Sequence, residues 1–166
     1  MTETTLLIPD HVWPTLYLLR GLPGSGKSYR AKQMLAAGVK FHLESDMYFV
    51  QNGVYCYSAR WTMDAHKWCF DTTRIYLHQG ASVVVANTFS QLWEMRPYLA
   101  LWQEIPRVNI YVYHCTGNFD NVHDVPQSVI DKMMNRWEIY PEEVKLHSEM
   151  KIQAIREYVN SLDEEV

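Results

Sequence analysis

The chain has 166 residues, 48% of them hydrophobic and 20% charged, with a formal net charge of −4. That length suits one compact domain over 1–166, no apolar run approaches a membrane span, and the acidic balance lacks the basic run of a nucleic-acid-coating surface. Cys56, Cys69 and Cys115 are odd in number without CxxC spacing, and the seven His form no HxxxH or HxH pair, which argues against a disulfide framework or a zinc site. With an N-terminus (MTETTLLIPDHVWP) lacking a basic n-region and an apolar h-region, this fits a protein of the reducing cytoplasm.

In chain order, Thr15–Arg20 (TLYLLR) is an apolar run ending at a glycine-rich turn and predicts a buried strand. Residues 27–37 predict a helix stopped by Gly38, and 39–44 a second short strand. Residues 58–78 predict a long helix with Ser58 as N-cap and Gly80 as its stop. The run ASVVVA at 81–86 is dense in β-branched residues and reads as a fully buried strand. Helical spacing returns at 91–102, broken or kinked at Pro97, with Trp93, Met95 and Trp102 assigned to the core. A fourth strand is expected at 108–114, a helix with Pro in its first turn at 126–139, and a last amphipathic helix at 141–162. Strands separated by helices predict an α/β fold, a small parallel sheet of about four strands flanked by helices, with its binding place at the carboxyl edge of the strands.

The first strand-to-helix junction reads GLPGSGKS at 21–28, satisfying G-x-x-x-x-G-K-[ST] in the required context. Gly21, Gly24 and Gly26 let the backbone curl so that consecutive N–H groups, including that of Ser25, point inward at phosphate oxygens. Pro23 stiffens the loop. Helix 27–37 adds the positive end of its dipole. Lys27 is expected at the β- and γ-phosphates of a nucleoside triphosphate, and the Ser28 hydroxyl at Mg²⁺.

Eighteen residues after Ser28 stands Asp46, directly after the second strand. A neighbouring parallel strand ends facing the phosphate loop, where an aspartate can accept the proton of an attacking hydroxyl. The alternative is that Ser45 or Asp46 caps a turn starting near Met47, and one residue could serve both roles. Glu44 reads as a solvated neighbour. Asn87, at the end of a buried strand, is either a polar site residue or a turn residue. Tyr48, Phe49, Tyr55 and Tyr57 crowd a segment read as a loop, where they could stack a nucleobase or pack the core; Tyr48 is taken with Asp46 and Asn87 as a substrate contact.

The loop at 21–28, the Ser45-Asp46 turn, the Asn87-Thr88 strand end and the Trp93-Glu94-Met95 segment together resemble the polynucleotide-kinase-like branch of P-loop kinases, over about 16–140. That branch includes the 5′-hydroxyl kinase domain of bacteriophage end-repair enzymes and proteins known only as AAA-family ATP-binding proteins. The resemblance implies a lid over the donor, ATP and Mg²⁺ as cofactors, Lys27 and Ser28 on phosphates and metal, and Asp46 as the general base. The chain departs from the pattern where the phage enzyme has aspartate (Ala86), where it has arginine three residues after the base (Phe49), and where the family lid carries arginines (Phe119 and Asp120). Arg136, on the helix after the lid, is the nearest replacement cation in sequence; Arg60, Arg74 and Arg96 are further candidates.

The expected function is transfer of the ATP γ-phosphate to a hydroxyl of a nucleic-acid 5′ end, a nucleotide or a nucleoside. The alternatives are a nucleotide-binding regulatory module with a protein partner, and a small-molecule kinase acting on a sugar or antibiotic hydroxyl. No membrane partner is expected, and the oligomeric state is left open.

Overall fold

A computed structural model of the chain describes residues 13–119 and 124–146. Among them run β1 (Thr15–Arg20), α1 (Lys27–Ala36), β2 (Phe41–Leu43), a 3-10 turn (Ser45–Phe49), β3 (Val50–Gln51), β4 (Val54–Tyr55), α2 (Thr62–His78), β5 (Val83–Ala86), α3 (Leu92–Leu99), β6 (Asn109–Cys115), α4 (Gln127–Asn135) and β7 (Val144–Leu146). Five strands form a parallel sheet in the order β2-β5-β1-β6-β7. The α/β class is as expected from the alternating pattern, with a fifth strand beyond the four anticipated.

Period-two alternation on the central strands splits the core into two layers. Leu16, Leu18, Val83, Val85 and Val112 face α2 and α3, where they meet Cys69, Leu77, Met95 and Tyr98. Leu19, Val84, Ala86, Tyr113 and Cys115 face α1 through Ala31 and Met34. Leu16, Leu18 and Leu19 are wholly inaccessible, and each such burial contributes about 1.5–3 kcal/mol. This pins the carboxyl end of β1, and with it the start of the phosphate loop, between β5 and β6.

Several elements differ from the sequence expectation. The helix at 58–78 opens with a 3-10 turn (Ala59–Trp61), and the Ser58 side chain makes no capping bond. Pro97 lies within α3, which Glu94 starts by accepting the Gln91 N–H at 2.9 Å and which slackens to 3-10 at Ala100–Gln103. Met95 is core, but Trp93 and Trp102 are exposed. The 50–55 segment, read as loop, is a β-hairpin turned by Asn52 (φ 51°) and Gly53 (φ 78°), the Asn-Gly pairing that type I′ turns favour.

The largest correction is at 141–162. Val144–Leu146 is not helical but adds to the sheet beside Tyr113–Cys115; residues 147–162 lie outside the described residues. The cause is tertiary. Arg20 is completely buried at the end of β1. Its guanidinium donates to Phe89 O (2.6 Å), Glu138 O (2.7 Å) and Glu143 Oε2 (2.9 Å) and lies 4.2 Å above the Trp137 ring. A buried charge must be paired and hydrogen-bonded, so Arg20 draws the 137–143 segment onto the sheet and overrides its helical periodicity. The same recruitment ends α4 at Asn135, short of the expected 139.

Candidate active site

The loop after β1 is shaped by two glycines. A Cβ at Gly21 would lie 2.3 Å from Ser25 Oγ and 2.7 Å from Cys115 O, closer than packed atoms approach. Gly26 caps α1 in the left-handed region (φ 91°), with the Phe119 ring against it. Ser25 N donates to Leu22 O at 3.0 Å, closing the turn, and the buried Ser25 Oγ has no hydrogen-bond partner among the described residues. The Lys27 ammonium folds over the loop and donates to Gly21 O (2.8 Å) and Leu22 O (3.0 Å). Burial pulls its pKa down, and the neighbouring Cys115, Glu44 and Asp46 only partly offset this.

Ser28 Oγ donates to Glu44 Oε1 at 2.5 Å, and His42 Nε2 lies 2.9 Å from the same oxygen. Glu44 is therefore not the solvated neighbour expected: its side chain is 13% exposed. Burial pushes its carboxyl up, but the bonds to His42 and Ser28, with the charge of Lys27, hold it below the usual carboxylate range. Glu44 is the site residue the sequence reading missed. Its signal was the alternation FHLE at 41–44, which turns His42 and Glu44 to one face of β2.

Asp46 stands in the first turn of the 3-10 segment, and Glu44, not Asp46 or Ser45, occupies the N-cap position. Its Oδ1 accepts from Tyr55 Oη at 3.3 Å. Burial, then the charge and hydrogen bond of Asp46, push Tyr55 up to about 12, so it stays a neutral donor. Asn87 acts from just past the end of β5: its Oδ1 accepts the Ser45 N–H at 2.9 Å and holds the Ser45-Asp46 turn against the sheet. Ser45 Oγ meets His66 Nδ1 at 3.0 Å, a histidine whose position on α2 gave no sequence signal.

These groups surround one cavity of about 940 Å³, lined on the donor side by Pro23, Gly24, Gly26, Lys27 and Ser28. Across from them lie Glu44, Asp46, Tyr55, Tyr57, His66 and Asn87, with Phe119, Asp124, Val125 and the α4 residues Val129 and Met133 closing the rim. Tyr48 is not part of this lining: its ring packs on Phe49 and Trp68. Phe49 is buried against Tyr57.

Lys27 is the one lysine or arginine among the described residues lining the cavity. Arg136 caps the carboxyl end of α4 and donates to Ser90 Oγ at 3.2 Å, outside the lining. Val129 and Met133 of α4 reach the rim, while the Arg136 guanidinium is turned to Ser90. Arg74 pairs with Glu104, Arg60 stacks on Trp61 and Arg96 is exposed on α3. Asp120 and 121–123, within the expected lid, lie outside the described residues.

The donor set fits a magnesium ion. The Ser28 hydroxyl and Glu44 carboxylate are hard oxygens side by side at the loop. No group of three or more His, Cys, Asp or Glu forms a metal cage among the described residues. Magnesium is usually held by one or two protein oxygens together with substrate phosphates. No helix among the described residues is long and apolar enough to cross a membrane.

Comparison with known proteins bears on the whole arrangement. A family model described as an AAA domain matches residues 16–120. The human NEDD4-binding protein 2 is 39% identical over 99 residues, which is 57% of this chain and 6% of that protein; the chain thus corresponds to a small part of the relative. Among solved structures, the Mycobacterium tuberculosis APS kinase CysC in complex with AMPPNP and APS superposes with a TM-score of 0.60 at 15% identity, covering 92% of this chain and 98% of that one. A chain of the Pnkp1/Rnl/Hen1 RNA repair complex superposes with a TM-score of 0.53 at 20% identity, covering 81% of this chain and 42% of that one. The shared architecture is the P-loop kinase fold.

Proposed function

Because the chain belongs to the AAA domain family, we propose that it is a P-loop phosphotransferase carrying the ATP γ-phosphate to a hydroxyl of a nucleic-acid 5′ end, a nucleotide or a nucleoside. The observation that carries this reading is one cavity with Lys27 on one wall and Asp46 on the other. Lys27 exchanges its bonds to Gly21 O and Leu22 O for phosphate oxygens. The Ser28 hydroxyl would hold a magnesium ion, which when bound would neutralise charge on the transferring group. Asp46, steadied by Tyr55, takes the acceptor proton as the new O–P bond forms and the bond to the ADP leaving oxygen breaks. The fold shared with a chain of an RNA repair complex supports the nucleic-acid branch; Tyr55 and Tyr57 offer ring faces for a terminal base. The free cysteines support a reducing, cytoplasmic setting.

A second reading is favoured by one feature. In-line transfer spreads charge beyond the reach of a single lysine, and no arginine among the described residues lines the cavity. A regulatory nucleotide-binding module would have that composition. The test is γ-phosphate transfer from labelled ATP to 5′-hydroxyl oligonucleotides, a nucleoside panel and sugars. Labelled oligonucleotide or nucleoside is the expected product. Labelled sugar alone moves the assignment to a small-molecule kinase, and tight ATP binding without transfer to any acceptor moves it to the regulatory module.

A further inference from the structure

We infer that Glu44 is the metal-side carboxylate of this site, supplied from the end of β2 instead of the end of β5. The inference rests on the magnesium-nucleotide reading above. Three carboxylates line the cavity among the described residues: Glu44, Asp46 and Asp124. Asp46 meets Tyr55, and Asp124 sits exposed on the rim. Glu44 touches the phosphate loop directly, through the 2.5 Å bond from Ser28 Oγ.

Among the described residues the end of β5 carries no carboxylate. Ala86 is 3% exposed inside the apolar layer under α1, and Asn87 Oδ1 accepts the Ser45 N–H. β2 lies next to β5 in register, Leu43 opposite Val85, so one residue further along β2 reaches the same edge of the sheet. Glu44 occupies that point with the longer of the two acidic side chains.

A carboxylate this enclosed needs partners to stay ionised. His42 Nε2 at 2.9 Å is one and Lys27 supplies nearby charge. His42 is a positioning residue: by holding one oxygen it orients the carboxylate toward Ser28, as groups behind metal ligands commonly do. A structural serine-carboxylate pair would not need the loop lysine and the cavity opening beside it.

The test separates metal from nucleotide. ATP and ADP affinities are measured for wild type, Glu44→Gln and Asp46→Asn, with magnesium and with chelator. Mn²⁺ binding to each nucleotide complex is followed by electron paramagnetic resonance. Glu44→Gln keeps the shape and the acceptor for Ser28, and its melting temperature reports folding. The expected result is a loss of Mn²⁺ affinity of roughly 10- to 100-fold, with chelator-state nucleotide affinity unchanged. Asp46→Asn removes a charge from the same cavity and is expected to keep the wild-type Mn²⁺ affinity. Equal Mn²⁺ affinity in wild type and Glu44→Gln overturns the assignment. So does an equal loss of Mn²⁺ affinity in both variants, or a loss of nucleotide affinity by Glu44→Gln in chelator. Failure of phosphotransfer with these metal results intact bears on the proposed function alone.

Discussion

The two walls of the cavity are built in opposite ways. The donor wall comes from eight consecutive residues whose geometry is backbone geometry: two glycines, a closing turn and a lysine folded back on the loop carbonyls. The acceptor wall comes from four separated pieces, the 3-10 turn, the β3–β4 hairpin, α2 and the end of β5, tied by side chains such as Asn87 to Ser45 and Tyr55 to Asp46. A wall made from one continuous loop tolerates change in its surroundings and little within itself. A wall assembled from side chains can be rebuilt piece by piece, and this is where the chain departs from the pattern it resembles.

Lys27→Ala strikes the donor wall at its one cation and is expected to have the largest effect. Both ATP affinity and transfer fall, transfer by roughly 10³-fold, read by titration and radiolabel assay. Near wild-type values would break the comparison at once. Asp46→Asn strikes the acceptor wall. It keeps shape and leaves ATP affinity within about twofold, while transfer drops on the order of 10²–10⁴-fold. If affinity and transfer fell together, the walls would not be separable. Tyr55→Phe removes one hydrogen bond to Asp46. A bond of about 1 kcal/mol corresponds to a roughly fivefold loss in kcat with KM for ATP unchanged. Because Tyr55 titrates only near 12, the size of that loss stays constant from neutral pH to about 10. Smallest of all is Arg136→Ala. Its partner is Ser90, outside the cavity, so transfer and ATP affinity change by less than about twofold, as for Arg74→Ala. A selective loss of transfer in Arg136→Ala would show that α4 moves to the donor wall during turnover.

Legibility in the sequence followed the same division. The strand at Thr15–Arg20, the loop motif and α1 were readable because strand, turn and helix are local and each residue type has one geometric reason to be there. Asp46 was readable because a residue just after a parallel strand must stand at the carboxyl edge. Glu44 was not, since its role depends on Ser28, sixteen residues away in sequence and 2.5 Å away in space. The β3–β4 hairpin carried its Asn-Gly signal, but the short flanking strands were masked by a run of aromatics. Arg136 was placed by proximity in sequence, which the early end of α4 made irrelevant.

By itself, then, the sequence determined the α/β alternation, the buried central strands and the phosphate loop, because hydrophobic period, glycine conformation and loop chemistry all act within a few residues. Only the tertiary structure decided the fifth strand, the partnership of Ser28 with Glu44 and the exclusion of Arg136 from the cavity. Those outcomes turn on burying charge. Arg20 at the end of β1 must be satisfied by groups more than a hundred residues away, including Glu138 O and Glu143, and removing such a partner costs about 3–5 kcal/mol, more than the helical periodicity of a short exposed segment can offset.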